Sequence, residues 1–175
     1  MEPFRNNPLD VRDLPNLGGH EFTSLERGYL RMRLFTGAAV GFVALACAAA
    51  FAYFAPAEVP NWAMLVAFAL ALCILAVPFI AEPIAFAHRG WLLRDHDISV
   101  RSGVISRRVT TAPFTRVQHA SVHQGALERA MGLASLKVFT AGNQFADLTI
   151  EGLTSDDAHR LKELVVGLTR AEANG

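Results

Sequence analysis

One pair of residues in the sequence has the spacing of a metal site. His119 and His123 lie four residues apart, the spacing at which two histidines on one helix can hold zinc. The residues from 116 to 123 favour a strand, in which four residues span about 13 Å, too far for two ligands of one ion. No cysteine follows His88 to complete a site. The sequence therefore predicts no metal and no cofactor, and we interpret both histidines as surface or interface residues.

Other arrangements that carry catalysis are also missing from the sequence. It has no G-x-S-x-G nucleophile motif, no P-loop and no dinucleotide-binding glycine fingerprint. His96 stands between Asp95 and Asp97, which is more typical of a hydrated turn than of a catalytic pair. Asp156 and Asp157 open a predicted helix, where acids offset the helix dipole. An enzyme stays only as a second alternative, since catalysis by scattered residues leaves no motif.

The charges are unevenly distributed along a chain whose formal net charge is zero. Of its 175 residues, 52% are hydrophobic and 18% charged, and the mean hydropathy is +0.29, which is too apolar for a soluble domain of this size. Equal numbers of basic and acidic residues make a nucleic-acid partner a poor hypothesis. Residues 34–88 hold no Lys or Arg and only two acids, Glu58 and Glu82. We expect a mobile tail over residues 1–20, a membrane region over 21–88 and a water-facing domain over 89–175.

Two uncharged runs lie in the membrane region, at about 34–54 and 62–82. A helix of about 20 residues crosses a hydrocarbon layer of about 30 Å. Pro56, Pro60 and Asn61 stand between the runs and favour a turn. The runs therefore predict two transmembrane helices in a hairpin, with a buried helical pair in a soluble protein as the alternative. We expect no cleavage of the first run, which is too long and lies too far along the chain for a signal peptide.

Basic residues flank the hairpin on one side only. They precede the first run and follow the second, whereas Glu58 is the only charged residue of the connecting loop. By the positive-inside rule both termini are expected in the cytoplasm, with the protein in the cell membrane. Glu82, near the end of the second run, is expected to snorkel to that surface or to be partly buried there. The basic residues are Arg27, Arg31 and Arg33 before the first run and Arg89 and Arg94 after the second.

The segment before the first run is predicted to be a juxtamembrane helix over residues 21–33. Phe22, Leu25 and Tyr29 have helical spacings of three and four, which suits a helix start lying on the bilayer surface. Cys47 and Cys73 fall inside the two spans, where we interpret them as packing residues.

After residue 88 the pattern changes to that of a small sheet domain. Strands are predicted in a hairpin over 97–112 with a turn at Gly103, and at 116–123, 136–141 and 145–152, with a short helix over 126–131. A terminal helix over 155–169 follows, with a capping pair Thr154 and Asp157 at its start. Its predicted apolar stripe, which would cover the sheet, consists of Leu161, Leu164, Val165 and Leu168.

The order of these motifs resembles the PH-like domain of YdbS-type bacterial membrane proteins. The matching features are Arg107-Arg108 before a Thr-rich strand, Pro113 and Arg116-Val117-Gln118 after it, and then QGALERAMGL, LKVFTAG and the final helix. The resemblance covers residues 91–169, and the hairpin in front also suits that family. It implies a membrane α-helical hairpin followed by a mainly-β, PH-like, partly open barrel that a C-terminal α-helix caps.

Binding is the favoured class of function, and its first candidate ligand is the lipid surface. Basic groups near an anionic leaflet contribute about 1 kcal/mol each to surface attraction. The alternative is a solvated strand face whose arginines only set the topology. The short Ser102-Gly103 turn argues against specific inositide binding. The candidate lipid contacts are Arg89, Arg94, Arg101, Arg107 and Arg108.

The second candidate ligand is another protein. Gly37 and Gly41 form a small-xxx-small pair suited to close helix packing, which predicts a homo-oligomer or an assembly with another membrane protein. The preferred hypothesis is therefore a non-catalytic integral membrane protein that presents a PH-like domain as a scaffold for protein assembly. Recognition of anionic lipid headgroups by the same domain is the alternative.

Overall fold

The computed structural model describes residues 22–56, 58–141 and 146–174, with side chains up to residue 170. The tail predicted over residues 1–20 and the turn at Gly142 and Asn143 lie outside the described residues. The helices are α1 (Arg27–Phe54), α2 (Asn61–Ala87), α3 (Ala126–Ala130) and α4 (Ser155–Asn174). The strands are β1 (Gly90–Leu93), β2 (Asp97–Ser102), β3 (Arg108–Pro113), β4 (Val117–His123), β5 (Leu133–Thr140) and β6 (Leu148–Thr154).

The two apolar runs form α1 and α2, which pack against each other as an antiparallel hairpin. Each helix is long and apolar enough to cross a membrane, and most of its side chains are exposed, as lipid-facing residues are. Pro60 precedes the first residue of α2, a position that proline tolerates because no helical N–H is lost there. α2 continues through Pro78 and Pro83 to Ala87. The predicted transmembrane hairpin is thus confirmed as an architecture of two long helices.

The predicted juxtamembrane helix is shorter than expected, because α1 begins only at Arg27. Thr23 instead pairs with Trp91 of β1 through two backbone hydrogen bonds of 2.8 and 3.0 Å, which keeps this segment extended. Leu25 and Tyr29 are buried against Leu133 and do not lie on a bilayer surface. The prediction for these residues is therefore wrong, since backbone pairing and burial against the domain replace the expected surface helix.

The strands form two antiparallel sheets of three strands each. The first has the order β1-β2-β3 and the second the order β4-β5-β6. The predicted hairpin over 97–112 is β2 and β3, and Gly103 begins the turn with a positive φ of 96°. The six strands do not close into a barrel. The expected mainly-β, PH-like architecture is confirmed, and α4 packs against the second sheet.

The core of the domain lies between the two sheets and α4. Its largest fully buried side chains include Phe114, Ile98 and Leu136. From α4, Leu161 and Val165 enter this core as predicted, whereas Leu164 is 52% exposed. The inclusion of Leu164 in the buried stripe was therefore wrong. The buried face of α4 is narrower than the sequence pattern, so this leucine lies beyond its edge.

The start of α4 agrees with the predicted capping pair. The hydroxyl of Thr154 accepts a hydrogen bond of 3.1 Å from the backbone N–H of Asp157 and donates one of 2.7 Å to its carboxylate. One of the four free N–H groups of a helix start is thereby satisfied. The helix then continues five residues beyond the predicted end, to Asn174.

Candidate functional site

Four of the five arginines predicted as lipid contacts lie at one end of the first sheet. The four are Arg89, Arg101, Arg107 and Arg108. Arg89 directly follows α2 and its capping residue, and Arg101 of β2 is the register partner of Gly90, the first residue of β1. Since β1 leaves α2 and β2 returns antiparallel to it, this end of the sheet faces the membrane hairpin. We call it the junction end.

Arg94 lies at the opposite end of the same sheet. Its guanidinium donates hydrogen bonds to the carboxylate of Asp97, at 2.9 Å, and to the hydroxyl of Ser99, at 3.4 Å. The Arg94 backbone N–H also donates to the carbonyl of Asp97, which closes the turn between β1 and β2. The expectation of one cluster of five arginines is corrected to four, because Arg94 is used in this turn.

Tyr29 connects α1 to the end of α2 and to the second sheet. Its hydroxyl donates a hydrogen bond of 2.5 Å to the carboxylate of Glu151 and accepts one of 3.0 Å from Nη1 of Arg89. The same Nη1 lies 3.9 Å from the Glu151 carboxylate. The guanidinium and the carboxylate thus share one partly buried hydroxyl, which ties both helices to β6.

A close backbone approach supports this contact. Gly152, next to Glu151, has a φ of +66°, and a Cβ there would lie 2.7 Å from Cβ and Cγ of Tyr29. The N–H of Glu26 donates a hydrogen bond of 3.0 Å to the Gly152 carbonyl. Only glycine allows both the positive φ and this packing distance. The tyrosine ring therefore rests directly on the backbone of β6.

Arg101 is an arginine of the junction end whose side chain is partly buried. Its guanidinium is 4.8 Å from the ring centroid of Phe22, a cation–π distance. Its Nε is buried, and no group of the described chain accepts a hydrogen bond from it. Arg101, Arg89, Ser102 and the acidic Glu151 are among the residues that line a cleft of about 250 Å³, which we call the junction cleft. An oxyanion in this cleft would supply the acceptor that Nε lacks.

Arg101 also lines a second cleft, of about 220 Å³, on the side of the loop between β2 and β3. Ala87 and His88 at the end of α2 form one wall of this cleft, and Gly103 and Arg107 form the other. Arg107 and Arg108 are exposed. The junction end therefore carries two exposed guanidinium groups without an ion-pair partner among the described residues, beside the point where α2 leaves the membrane region.

The chemistry available at this end is anion binding. The described residues contain no group of three metal-ligating side chains close enough to share an ion. His119, which the sequence analysis considered as a metal ligand, instead stacks on Phe139 at a centroid distance of 4.2 Å and an interplanar angle of 12°. The guanidinium groups of the junction end are suited to phosphate or carboxylate oxygens.

Gly37 and Gly41 pack within the hairpin. A Cβ on Gly41 would lie 2.6 Å from Cα of Leu75, and one on Gly37 would lie 2.5 Å from Cβ of Pro78. The close helix packing that the sequence predicts at these two residues is therefore made with α2 of the same chain. This corrects the expectation that the pair serves contacts between chains.

An ion pair between the two membrane helices was missed by the sequence analysis. Nη2 of Arg33 lies 2.6 Å from the carboxylate of Glu82, and Nε of Arg33 lies 3.1 Å from the same oxygen. The signal was present, because Glu82 is the one acid in the second apolar run and Arg33 flanks the first. In an antiparallel hairpin these two positions are at the same level. The positive charge of Arg33 therefore compensates the negative charge of the Glu82 carboxylate.

The outer face of α4 forms a second surface. Leu164, Gly167 and Leu168, all on one face of α4, border an open depression of about 550 Å³, with Arg160 and Glu163 at its edge. No atom of the described residues lies within 4 Å of a Cβ placed on Gly167, so the surface is open there. We call this surface the α4 groove.

Comparison with known proteins confirms the resemblance that the order of motifs indicates. The family model described as "Bacterial PH domain" matches residues 34–168. The UPF0699 transmembrane protein YdbS of Bacillus subtilis (strain 168) is 31% identical over 85 residues, which are 47% of this chain and 52% of that protein. The chain thus spans about half the length of this curated relative. No solved structure matches the chain.

Proposed function

The chain belongs to the bacterial PH domain family, and from that premise we propose that it is a non-catalytic membrane scaffold for protein assembly. α1 and α2 anchor it, and the PH-like domain binds a second protein of the same membrane. That protein is another copy of the chain or a different membrane protein. The domain and both termini lie in the cytoplasm.

The α4 groove is the observation that carries this proposal. Leu164 exposes about half of its surface beside Gly167. Other apolar residues of the same helix, such as Leu161 and Val165, are buried in the core. Arg160 and Glu163 place charges at the groove edge. An apolar centre with a polar rim is the composition of protein interfaces, and an apolar stripe on one face of a helix can pack against an amphipathic helix of a partner.

Two further features support a scaffold at the cytoplasmic face. The bonds of Tyr29 to Arg89 and Glu151 tie the domain to its anchor, so little orientational freedom is left to lose on binding. The arginines in the first turns of α1 and directly after α2 lie at the end of the hairpin where the domain is attached, whereas Glu58 is the only charged residue in the sequence of the opposite loop. This asymmetry favours a cytoplasmic domain.

Native mass spectrometry of the full-length protein, extracted gently from its own membrane, tests the proposal. We expect a stoichiometric additional protein mass that identifies the partner. Leu164→Glu should abolish it, because a carboxylate cannot be buried in an apolar interface without a partner. Leu127→Glu is the matched control, since Leu127 lies on α3 and is 45% exposed. A chain without additional protein mass, or equal losses in both variants, would contradict the scaffold.

Recognition of anionic lipid headgroups is the second candidate, and the junction cleft favours it. The buried Nε of Arg101 has no acceptor within the described chain, and Arg107 stands exposed at the neighbouring cleft. Both lie beside the end of α2, at the level where headgroups are found. A phosphate group there would accept bonds from more than one guanidinium.

Retained lipid in the same spectra tests this second candidate. Arg107→Glu/Arg108→Glu should remove anionic lipid that the wild-type protein keeps. Arg116→Glu/Arg170→Glu has the same change of charge on exposed residues outside the junction end and should keep the lipid. Equal lipid loss in both double variants would mean that only the net charge matters, and the candidate would be rejected.

A further inference from the structure

The loop between β2 and β3 exposes apolar side chains at its tip. Ile105 is fully exposed, with a relative accessibility of 102%, and Val104 beside it is 38% exposed. Val109, which follows the loop in β3, is 48% exposed. Within the domain, isolated apolar residues on the surface need no explanation, but adjacent ones at a loop tip form a patch.

The loop has a defined conformation. Gly103 has a φ of +96°, and a Cβ there would lie 2.0 Å from the carbonyl oxygen of Ser106. The chain thus turns back on itself over four residues, which holds Val104 and Ile105 outward at the tip. This conformation requires glycine at residue 103.

The position of the loop is set by the register of the sheet. β1 starts at the end of α2, and β2 runs back antiparallel to it, so the loop follows β2 at the junction end. Gly103 and Arg107 share a cleft with Ala87 and His88, the last residues of the α2 region. The apolar tip is therefore tethered beside the exit of α2 from the membrane.

Basic residues flank this apolar tip. Arg107 and Arg108 follow it directly and are exposed, and Arg101 precedes it. An apolar tip with adjacent cations is the composition of segments that lie in a bilayer interface, where the apolar groups enter the acyl boundary and the cations meet phosphates. A protein interface would not need this cationic flank beside the end of a membrane helix.

We infer that the β2–β3 loop is a second membrane anchor, which inserts Val104 and Ile105 into the leaflet that α2 leaves while Arg107 and Arg108 bind lipid phosphates. The occupant of this surface is the bilayer itself, because the loop is attached beside a helix that crosses it. The inference depends on the membrane hairpin and not on the protein partner of the α4 groove.

A fluorescent depth measurement on the full chain tests this inference. The single-cysteine variant Ile105→Cys, in a Cys47→Ala/Cys73→Ala background, is labelled with the environment-sensitive dye NBD. The protein is placed in nanodiscs of phosphatidylethanolamine and phosphatidylglycerol that contain doxyl-labelled lipid. The matched control is Asp95→Cys, an exposed residue in the turn at the opposite end of the same sheet.

We expect a blue-shifted emission at residue 105 that doxyl lipid largely quenches, and water-like, unquenched emission at residue 95. Water-like emission at residue 105 would overturn the inference. So would a blue shift at residue 105 without lipid quenching, because the loop would then contact protein. A second pair of variants carries the dye at Ser106→Cys. There Ile105→Asp should abolish quenching, and Ile105→Leu should preserve it. Equal quenching in these two variants would also overturn the inference.

Discussion

The hydroxyl of Tyr29 donates a 2.5 Å hydrogen bond to the carboxylate of Glu151, a residue 122 positions later in the chain. Tyr29 lies near the start of the first membrane helix and Glu151 in the last strand. Arg89, at the end of the second membrane helix, donates to the same hydroxyl at 3.0 Å. One side chain thus joins both ends of the hairpin to the domain and sets the orientation in which the domain is presented.

Removing this hydroxyl should loosen the domain on its anchor. Tyr29→Phe deletes one donor and one acceptor and leaves Glu151 and Arg89 with only their 3.9 Å contact. The free energy of unfolding should fall by about 0.5–1.5 kcal/mol, the net contribution of a hydrogen bond, because water can reach the exposed carboxylate of Glu151. Hydrogen exchange should show faster exchange of the Glu26 amide, which bonds to the Gly152 carbonyl. Tyr53→Phe, on an exposed tyrosine near the hairpin turn, should leave that exchange unchanged, and equal effects of the two variants would contradict the role of the hydroxyl.

A methyl group on Gly152 should be more damaging than one on Gly132. Both glycines have a positive φ, +66° and +67°, but among the described residues only Gly152 has a neighbour within 4 Å of the added Cβ, the Tyr29 side chain at 2.7 Å. Gly132→Ala should cost about 1–2 kcal/mol for the left-handed backbone alone. Gly152→Ala adds steric overlap of about 1–3 kcal/mol. Thermal unfolding of the full chain in detergent measures both, and similar midpoints would show that the tyrosine moves aside at little cost.

Much of the fold could be predicted because its signals are local. The absence of charge over 20 residues defines α1 and α2, and alternation around Gly103 defines β2 and β3. β1 was not predicted, since the four residues GWLL have too few positions to show a period. The extended pairing of Thr23 with Trp91 was missed for a different reason: the composition there favours a helix, and only the distant strand decides otherwise.

The candidate site could be predicted only in part. Arginines beside a membrane exit can be identified from the sequence, and four of the five meet at the junction end. Arg94 could not be distinguished from them, because its bond to Asp97 depends on a turn whose geometry is not encoded in residue types. The contact of Tyr29 with Glu151 joins residues 122 positions apart and has no local signal. Leu164 fits the helical period, but the width of the buried face of α4 depends on how the two sheets open.

Alanine at Gly41 should destabilise the hairpin itself. Its Cβ would lie 2.6 Å from Cα of Leu75, so the helices must separate, at a cost of about 1–3 kcal/mol. Gly167→Ala, in open space on α4, should be neutral or stabilising by about 0.5–1 kcal/mol. Thermal unfolding in detergent should separate the two variants. If Gly41→Ala kept the wild-type midpoint but removed an associated chain in native mass spectrometry, the glycine would pack between chains instead.

The ion pair between the membrane helices should show measurable coupling. Arg33→Gln and Glu82→Gln each leave one charge without its partner, and the double variant removes both charges. A double-mutant cycle should give a coupling between about 0.6 and about 1.7 kcal/mol, the average and the largest values for polar contacts between membrane helices. Unfolding by SDS titration supplies the free energies. The same cycle with Arg31, two residues earlier on α1, should give no coupling, and equal coupling in the two cycles would mean that Glu82 responds only to the overall positive charge.

The loop between α1 and α2 should be accessible from outside the cell, and the PH-like domain should be inaccessible from there. Glu58 stands in the loop that carries no basic residue, and Asp95 lies in the domain that follows the arginines of the membrane exit. In a Cys47→Ala/Cys73→Ala background, a membrane-impermeant maleimide should label Glu58→Cys in right-side-out vesicles and Asp95→Cys in inverted ones. Labelling both variants after detergent addition controls for reactivity. The reverse pattern would place the PH-like domain outside the cell and would exclude a cytoplasmic scaffold. The β2–β3 loop would in that case insert into the outer leaflet of the same bilayer.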